Sequence, residues 1–554
     1  MKAHARIRRA LLSVHNKEGI VDFARALHTQ HGIELISTGG TAKTLRDAGI
    51  PVTLVEDLTG SPEFLDGRVK TLHPRIFGAI LANRDNPRHM EQLREQGIQP
   101  IDMVVVNLYP FFETVHNQDA SFEQAIEMID IGGVSLLRAA AKNHRHVLVV
   151  DAPTMYAGVL DFLRGRKDDD VDPYTWGGFI AFKTTADYDA AICTWLSAAT
   201  VGDGHPLVRF IDLWSSGPLR YGENPHQTAE LLGYHGTSDP ISLANAEINA
   251  GKDAEMSYNN FLDADAAIGL CRDIARTLGG ESATMATCVF VKHTNPCGVG
   301  IARSPVDAYR KAYLGDANAA MGGILACNFG VDETFAKHVM ETFERDGKAA
   351  GAGGFFVEVW IAPEFSDGAV KAIRRLKKWG ANVRLVSIGD MTAAPDHHEP
   401  HFRKIAGGML VQFADLATID EQQWKTPTRR SASDAERADM RLAWLIAKHA
   451  KSNAIAIVRD GQLLGCGAGQ MSRVMSCRIA TWLAKENGHS AALAGATAAS
   501  DGFFPFSDGP ALLMDAGVTA LIQPGGSKRD AETVAACDER GAAMIVTGTR
   551  HFRH

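Results

Sequence analysis

Residues 10–49 read ALLSVHNKEGIVDFARALHTQHGIELISTGGTAKTLRDAG, and this stretch decides the fold class. Ala10–Val14 is an apolar run of strand length, and apolar positions then recur at helical spacing from Ile20 to Leu27. Ile33–Ser37 predicts a second strand, and Ala42–Ala48 a second helix closed by Gly49. The alternation continues outward, with strands over Met103–Asn107 (MVVVN) and Val147–Val150 and helices over Phe122–Met128 and Val134–Lys142. Apolar strands separated by helices predict a mainly parallel sheet in an α/β fold. Ligands of such sheets bind beyond the carboxyl ends of the strands, so the loops that follow strands carry most weight.

At 554 residues the chain exceeds what one hydrophobic core organises, which predicts two to four domains. The segment SAATVGDGHP, residues 197–206, is the best linker candidate and predicts a first domain over 1–199 and a second region over 200–554. Hydrophobic residues at 45% and charged residues at 22% suit an ordinary globular protein. The net charge of −8, without a Lys/Arg block, argues against a nucleic-acid partner. Eight cysteines, none spaced C-x-x-C, form neither a disulfide framework nor a zinc ribbon. The N-terminus lacks the apolar core of a signal peptide, and no apolar run reaches about 18 residues. These features predict a reduced, cytoplasmic protein that does not cross a membrane.

In the first domain, Thr38-Gly39-Gly40-Thr41 follows a strand and opens a helix. Converging N–H groups there suit a phosphate, although such a turn needs glycine in any case. Ser13 and Lys17 follow the first strand, and the loop GRVKTLHP, residues 67–74, gathers Arg68, Lys70, Thr71 and His73. A solvated basic loop has the same composition. Asn107-Leu108-Tyr109-Pro110 ends the buried strand, and Asp130-Ile131-Gly132-Gly133 precedes a helix with Lys142 at its far end. An N-terminal acid and a C-terminal cation are ordinary helix furniture, and the helix separates the two by roughly 14 Å.

STGGTAKTLRDAG, GRVKTLHP, NLYPF and IDIGGVSLLRAAAKNH, in this order and spacing, resemble the inosine monophosphate (IMP) cyclohydrolase domain of the bifunctional purine-synthesis enzymes. That domain is related to the methylglyoxal synthase fold. The resemblance implies nucleotide contacts at His15, Asn16, Lys17, Thr38, Gly39, Gly40, Thr41, Arg68, Val69, Lys70, Thr71, Asn107, Leu108, Asp130 and Ile131. His15 stands where many relatives carry Ser, and Lys142 matches the family's proton-transfer lysine. Ring closure needs a weakly nucleophilic carboxamide nitrogen to attack a formyl carbon, followed by loss of water. Lys70 and Tyr109 suit the developing oxyanion, and Lys142 and Asp130 suit proton transfer.

In the second region, LRYGENPHQ, residues 219–227, packs cation, aromatic, amide and imidazole together. Lys292-His293-Thr294-Asn295-Pro296-Cys297 puts a base beside a cation after the strand Cys288–Val291. Pro-Cys is half of a zinc deaminase signature, but the residue three beyond Cys297 is Gly300, and no H-x-E precedes it in place, so zinc catalysis fails on ligand spacing. Lys451-Ser452-Asn453 precedes a strand over Ala454–Val458, and Gly467–Val474 is a tight loop with an amide and a guanidinium. Ser500–Asp508 sets three Phe beside two carboxylates, a platform for a flat ring, and Gln523–Asp530 is a Gly-rich anion-binding candidate.

These segments resemble the aminoimidazole carboxamide ribotide (AICAR) transformylase domain, built from cytidine-deaminase-like α/β units without their zinc. The resemblance covers essentially the whole chain. It implies ribotide contacts at Arg220, Tyr221, His293, Gly322, Glu358, Asn453, Arg473 and Arg550, and folate contacts at Val474, Phe503, Asp508, Ser527 and Lys528. His293 matches the family's catalytic base, with Lys292 and Asn453 suited to the oxyanion or the leaving nitrogen. It further implies 10-formyltetrahydrofolate as co-substrate, the formylated ribotide (FAICAR) and IMP as products, a homodimer, and no catalytic metal or redox cofactor. Ala319-Ala320-Met321 departs from the Ser-Ala-Phe of most bacterial relatives. A competing reading makes residues 1–199 a nucleotide-sensing module on a single-activity transferase.

Overall fold

The computed structural model describes residues 6–62, 65, 68–69, 71–117, 119–166, 171–201, 207–234, 239–251, 254–278, 285–396 and 400–554. The chain divides into two compact units, Met1–Asp212 and Leu213–His554.

In the first unit, β1 (Arg9–Val14), β2 (Glu34–Ser37), β3 (Thr53–Leu54), β4 (Met103–Asn107) and β5 (Leu148–Val150) form a parallel sheet of order β3-β2-β1-β4-β5. Side chains alternate across it: Leu12 and Val14 join Phe23 and Leu27 on one face, and Leu11 joins Leu136 and Leu137 on the other. Strand order reverses between β1 and β4, which opens a crevice at their carboxyl ends. The helix Pro173–Val201 runs through the start of the expected linker, so a boundary at 199 falls inside a helix. The reason is local: the Ser197 and Thr200 hydroxyls turn back onto the carbonyls of Thr194 and Leu196, making polar residues compatible with the helix.

The second unit carries β6 (Leu213–Leu219), β7 (Ala229–Tyr234), β8 (Glu247–Asn249), β9 (Ala286–Lys292), β10 (Asn295–Ala302), β11 (Gly323–Cys327), β12 (Val357–Ala362), β13 (Arg384–Ser387), β14 (Pro400–Ile405), β15 (Gly408–Phe413), β16 (Ile455–Arg459), β17 (Gln462–Gly467), β18 (Thr497–Ser500), β19 (Ala520–Gln523) and β20 (Ala543–Val546). β6 with β7 and β14 with β15 are separate hairpins; the remainder form a mixed sheet of order β20-β19-β18-β16-β17-β10-β9-β11-β12-β13-β8.

This sheet is a tandem repeat about its centre. Helix Tyr258–Leu278, hairpin β9–β10, helix Pro305–Gly315 and the parallel set β11-β12-β13 are answered by helix Asp434–His449, hairpin β16–β17, helix Arg473–Glu486 and the parallel set β18-β19-β20. The two first-named helices share one apolar core on one face, and each repeat keeps its own core on the other. Along the paired segments 292–300 and 459–467 only two glycines coincide. A Cβ on Gly298 or Gly300 would be driven into the backbone carbonyls of Ala312 or Ala308, and one on Gly465 or Gly467 into those of Ala480 or Ser476. Each glycine pair therefore lets a strand touch its covering helix. The strand directions bring the β9–β10 turn, the starts of β11, β12 and β16, and the ends of β17, β18, β19 and β20 to one edge.

Candidate active sites

In the first unit the crevice beside β1 and β4 gathers most of the expected residues. The Asn107 Oδ1 accepts from the His15 and Asn16 N–H groups at 2.5 and 2.8 Å, and its Nδ2 donates to the Asn16 carbonyl at 3.1 Å. Asn107 thus shapes the loop that carries His15, whose ring meets Tyr109 edge to face with centroids 5.3 Å apart. Thr38 precedes the helix Gly39–Asp47, and its buried hydroxyl has no hydrogen-bond partner among the described residues. An unmatched buried hydroxyl beside helix N–H groups is what a phosphate oxygen would satisfy. Thr41 differs: its hydroxyl accepts from the Val14 N–H at 3.1 Å and donates to the Val14 carbonyl at 3.0 Å, fastening the helix to β1. The Lys17 ammonium donates to the Val14 carbonyl at 2.5 Å and stands beside Gly40.

Asp130 caps the helix Gly132–Lys142, accepting from the Gly133 N–H at 2.7 Å. Burial pushes its carboxyl up from the ordinary value, while the Gly133 and Tyr109 N–H groups and nearby His15 draw it only part of the way back. A Cβ on Gly133 would meet Leu108 at 2.9 Å, and one on Gly132 would meet buried Thr71 at 3.2 Å, so segments 71, 108 and 130–133 converge. Exposed Ile131 sits at this helix start. Arg68 pairs with Glu127, and the Val69 carbonyl accepts from the Leu72 N–H at 3.0 Å. Lys70 lies outside the described residues. Lys142 closes the helix, about 15 Å along its axis from Gly132, at the opposite edge of the sheet from this crevice. Sequence reasoning missed Tyr188, whose hydroxyl donates to the Met128 carbonyl at 2.5 Å and accepts from the Asp130 N–H at 2.9 Å. Burial pushes that hydroxyl up to about 12, so it stays protonated and holds Asp130 in place.

In the second unit the shared sheet edge gathers the other set. His293 is exposed on the two-residue turn between β9 and β10, and the Lys292 ammonium donates to the Met321 carbonyl at 2.9 Å. The Ala319–Met321 departure therefore leaves a backbone contact in place. Gly322 has φ 71° and donates to the Phe356 carbonyl at 2.8 Å. Asn295 donates to the His293 carbonyl at 3.0 Å and accepts from the Lys451 N–H at 2.9 Å, linking the two repeats beside the turn. The Arg220–Tyr221 segment belongs to a loop whose Glu223 carbonyl accepts from Asn259 at 3.2 Å, at the start of helix Tyr258–Leu278.

Arg473 is buried and donates to Ser500 at 2.7 Å, to Asp501 and to the Asn453 Oδ1 at 2.7 Å. The Asn453 Nδ2 donates to the Gln470 carbonyl at 2.8 Å, so this amide is occupied on both sides. Asp501, fully buried, also takes the Ser452 hydroxyl, and its carbonyl accepts from the His551 N–H at 3.1 Å. It organises this corner, yet in the sequence it read as one of two acids flanking a Phe cluster. Glu358 is paired with Arg384 at 2.8 Å.

Of the three Phe, Phe504 is core while Phe503, 41% exposed, and Phe506 remain at the surface, Phe506 under Arg529 at 5.0 Å. Val474 lies in the first turn of helix Arg473–Glu486, and Asp508 opens helix Asp508–Asp515. In the Gly-rich candidate Gln523–Asp530, which holds Ser527 and Lys528, the Asp530 carboxylate accepts from the Gly526 and Ser527 N–H groups at 2.7 and 3.1 Å, so these two donors are engaged within the segment. The terminal segment is tied down through the Arg553 carbonyl to the Ser452 N–H at 2.9 Å and through His551 to Asp415 at 2.5 Å, and Arg550 stacks on Phe552 at 4.3 Å. Among the described residues no three His, Cys, Asp or Glu stand together as a metal group, and no helix is long and apolar enough to cross a membrane.

Residues 19–135 match the MGS-like domain profile, and residues 140–483 match the AICARFT/IMPCHase bienzyme profile. The chain is 47% identical over 556 residues to the bifunctional purine biosynthesis protein PurH of Chloroflexus aurantiacus (strain ATCC 29366 / DSM 635 / J-10-fl), covering 100% of both. It is 45% identical over 559 residues to the protein of the same name from Polynucleobacter necessarius subsp. necessarius (strain STIR1), covering 99% of this chain and 100% of the relative. A solved structure titled "Crystal structure of ForH" matches 34% of this chain and 97% of its own, at 34% identity and a TM-score of 0.30. Full-length identity to these relatives and a profile spanning more than half the sequence agree: the chain belongs to the AICARFT/IMPCHase bienzyme family.

Proposed function

We propose that the two activities family membership gives this chain, AICAR formyl transfer and IMP cyclohydrolase ring closure, are carried by separate units. These are the last two steps of purine biosynthesis. Ring closure is assigned to residues 1–212 and formyl transfer to 213–554. The observation that supports the assignment is that each unit has its own core and its own sheet, with most of its candidate site residues gathered at one edge of that sheet.

For ring closure, the ribotide phosphate lies on the Thr38–Gly40 turn with Lys17 beside it, and the unmatched Thr38 hydroxyl supports this placement. The carboxamide nitrogen attacks the formyl carbon, the former carbonyl oxygen becomes hydroxyl, and water leaves as the ring closes. Asp130, whose carboxyl is raised by burial, carries protons at this centre, and Tyr109 faces the oxyanion. Lys142 and Lys70 are retained from the family resemblance alone.

For formyl transfer, the formyl donor is a folate, and we assign 10-formyltetrahydrofolate. Exposed Phe503 offers a face for its flat ring. His293 accepts the proton of the AICAR 5-amino group as that nitrogen bonds to the formyl carbon; the bond from that carbon to the folate nitrogen then breaks, and a proton returned to this nitrogen releases tetrahydrofolate. Lys292, anchored on Met321, presents positive charge beside it. Arg473 and Asn453, already bonded to each other, act by holding the pocket wall. A homodimer is supported by Ile405, Met409, Leu410, Val411 and Phe413, exposed together on the β14–β15 hairpin, which is too small to be stable alone. A cytoplasmic location completes the reading.

Residues 1–212 alone should convert FAICAR to IMP with no folate present. A folded fragment without turnover would favour the nucleotide-sensing alternative for this unit.

A further inference from the structure

The two repeats of the second unit each contain a two-residue turn of the same shape, and the pair behaves as an experiment with its own control. In one, Asp460 and Gly461 connect β16 to β17 with φ of 51° and 71°. Aspartate followed by glycine suits a turn that needs positive φ at both positions. In the other, His293 and Thr294 connect β9 to β10 with φ of 57° and 61°. Histidine tolerates positive φ better than most residues, but a β-branched threonine there is an outlier.

Both turns are held by the same device. Asp439 accepts from the Asp460 and Gly461 N–H groups, each at 2.8 Å. Asp263 accepts from the His293 N–H at 3.3 Å and from the Thr294 N–H at 2.6 Å. Each carboxylate sits on the sixth residue of the helix that precedes its hairpin, Tyr258–Leu278 or Asp434–His449. The clamp secures a turn that its own residues favour in one repeat, and one that its threonine opposes in the other.

We propose that Asp263 is a positioning residue for formyl transfer: it holds the His293–Thr294 turn in a backbone conformation that Thr294 opposes, and so aims the His293 imidazole at the reacting amine. The inference rests on the reading of His293 as the base. Backbone strain maintained by its surroundings at a reacting group is a recognised form of pre-organisation.

The test compares Asp263→Asn, Asp439→Asn and His293→Ala in the full-length enzyme, measuring kcat and KM for formyl transfer, ring closure as an internal standard, and thermal midpoint. Asp263→Asn should lower formyl-transfer kcat by about 10- to 100-fold, with KM values within about threefold and ring closure unchanged. Asp439→Asn, on the more buried of the two clamps, should lose thermal stability yet keep formyl transfer within about threefold. Should Asp263→Asn fail to fold, the Asp263→Asn, Thr294→Gly double variant supplies a turn that keeps positive φ without the clamp; measurable formyl transfer there supports the proposal, and its absence in a folded protein overturns it. Near-normal kcat in Asp263→Asn, or equal losses in both clamp variants, also overturns it. If His293→Ala abolishes formyl transfer in either case, the base assignment stands while the positioning role falls. If His293→Ala is active, the base assignment itself falls and the clamp has nothing to position.

Discussion

Asp130 shows how one side chain joins folding to chemistry. It caps a helix, and burial raises its carboxyl toward the range useful for proton transfer. Tyr188 supports it from another helix, and Tyr188→Phe removes both hydroxyl bonds at once. That change should cost about 1–2 kcal/mol of stability. It should also lower ring-closure kcat several-fold while leaving formyl transfer intact, checked by steady-state kinetics of both reactions. Glu436 illustrates a purely structural carboxylate. Burial pushes it up, but bonds from Arg430 at 2.8 and 2.9 Å, the Ser433 N–H at 2.8 Å and Thr519 at 2.7 Å outweigh burial and bring it from 4.5 down to about 2. A depressed carboxyl adds stability above its unfolded value and loses it as pH falls through the folded one. Between pH 5 and pH 2 this site should therefore forfeit on the order of 1–3 kcal/mol. Denaturation of wild type and Glu436→Gln should converge over that window.

At the level of elements, the glycine pairs in β10 and β17 set the distance between sheet and helix. Gly298→Ala would press a methyl group against the Ala312 carbonyl and should destabilise the second unit by about 1–3 kcal/mol or more, read as a lower denaturant midpoint. The parallel strands of the first unit were legible because MVVVN is a nearly continuous buried apolar run and IELIS keeps Leu35 and Ile36 buried side by side, with only Glu34 exposed. The end of helix Pro173–Val201 was not, because serine and threonine bonded to backbone carbonyls erase the composition shift that marks a linker. In the Gly525–Ser527 loop the glycines announced converging N–H groups, but only the fold shows Asp530 on two of them.

Over the whole molecule, the boundary carries a consequence. Lys183 bonds to both Asp187 and Asp212 at 2.6 Å, so a fragment ending at 199 loses the Asp212 bond and the last residues, Thr200 and Val201, of its helix. Residues 1–212 should accordingly show a higher thermal midpoint than residues 1–199, by calorimetry of the two fragments. The sequence by itself determined the α/β class, the order of the motifs and the residue types each site offers, because apolar periodicity and short motifs are local properties. Tertiary structure alone decided which groups meet. Antiparallel and parallel pairing across eleven strands brings residues from 292 to 550 to one edge, and a repeat whose segments 292–300 and 459–467 share only two glycines aligns Asp263 with Asp439. Such long-range pairings depend on burial and strand direction, which leave little trace in adjacent residues.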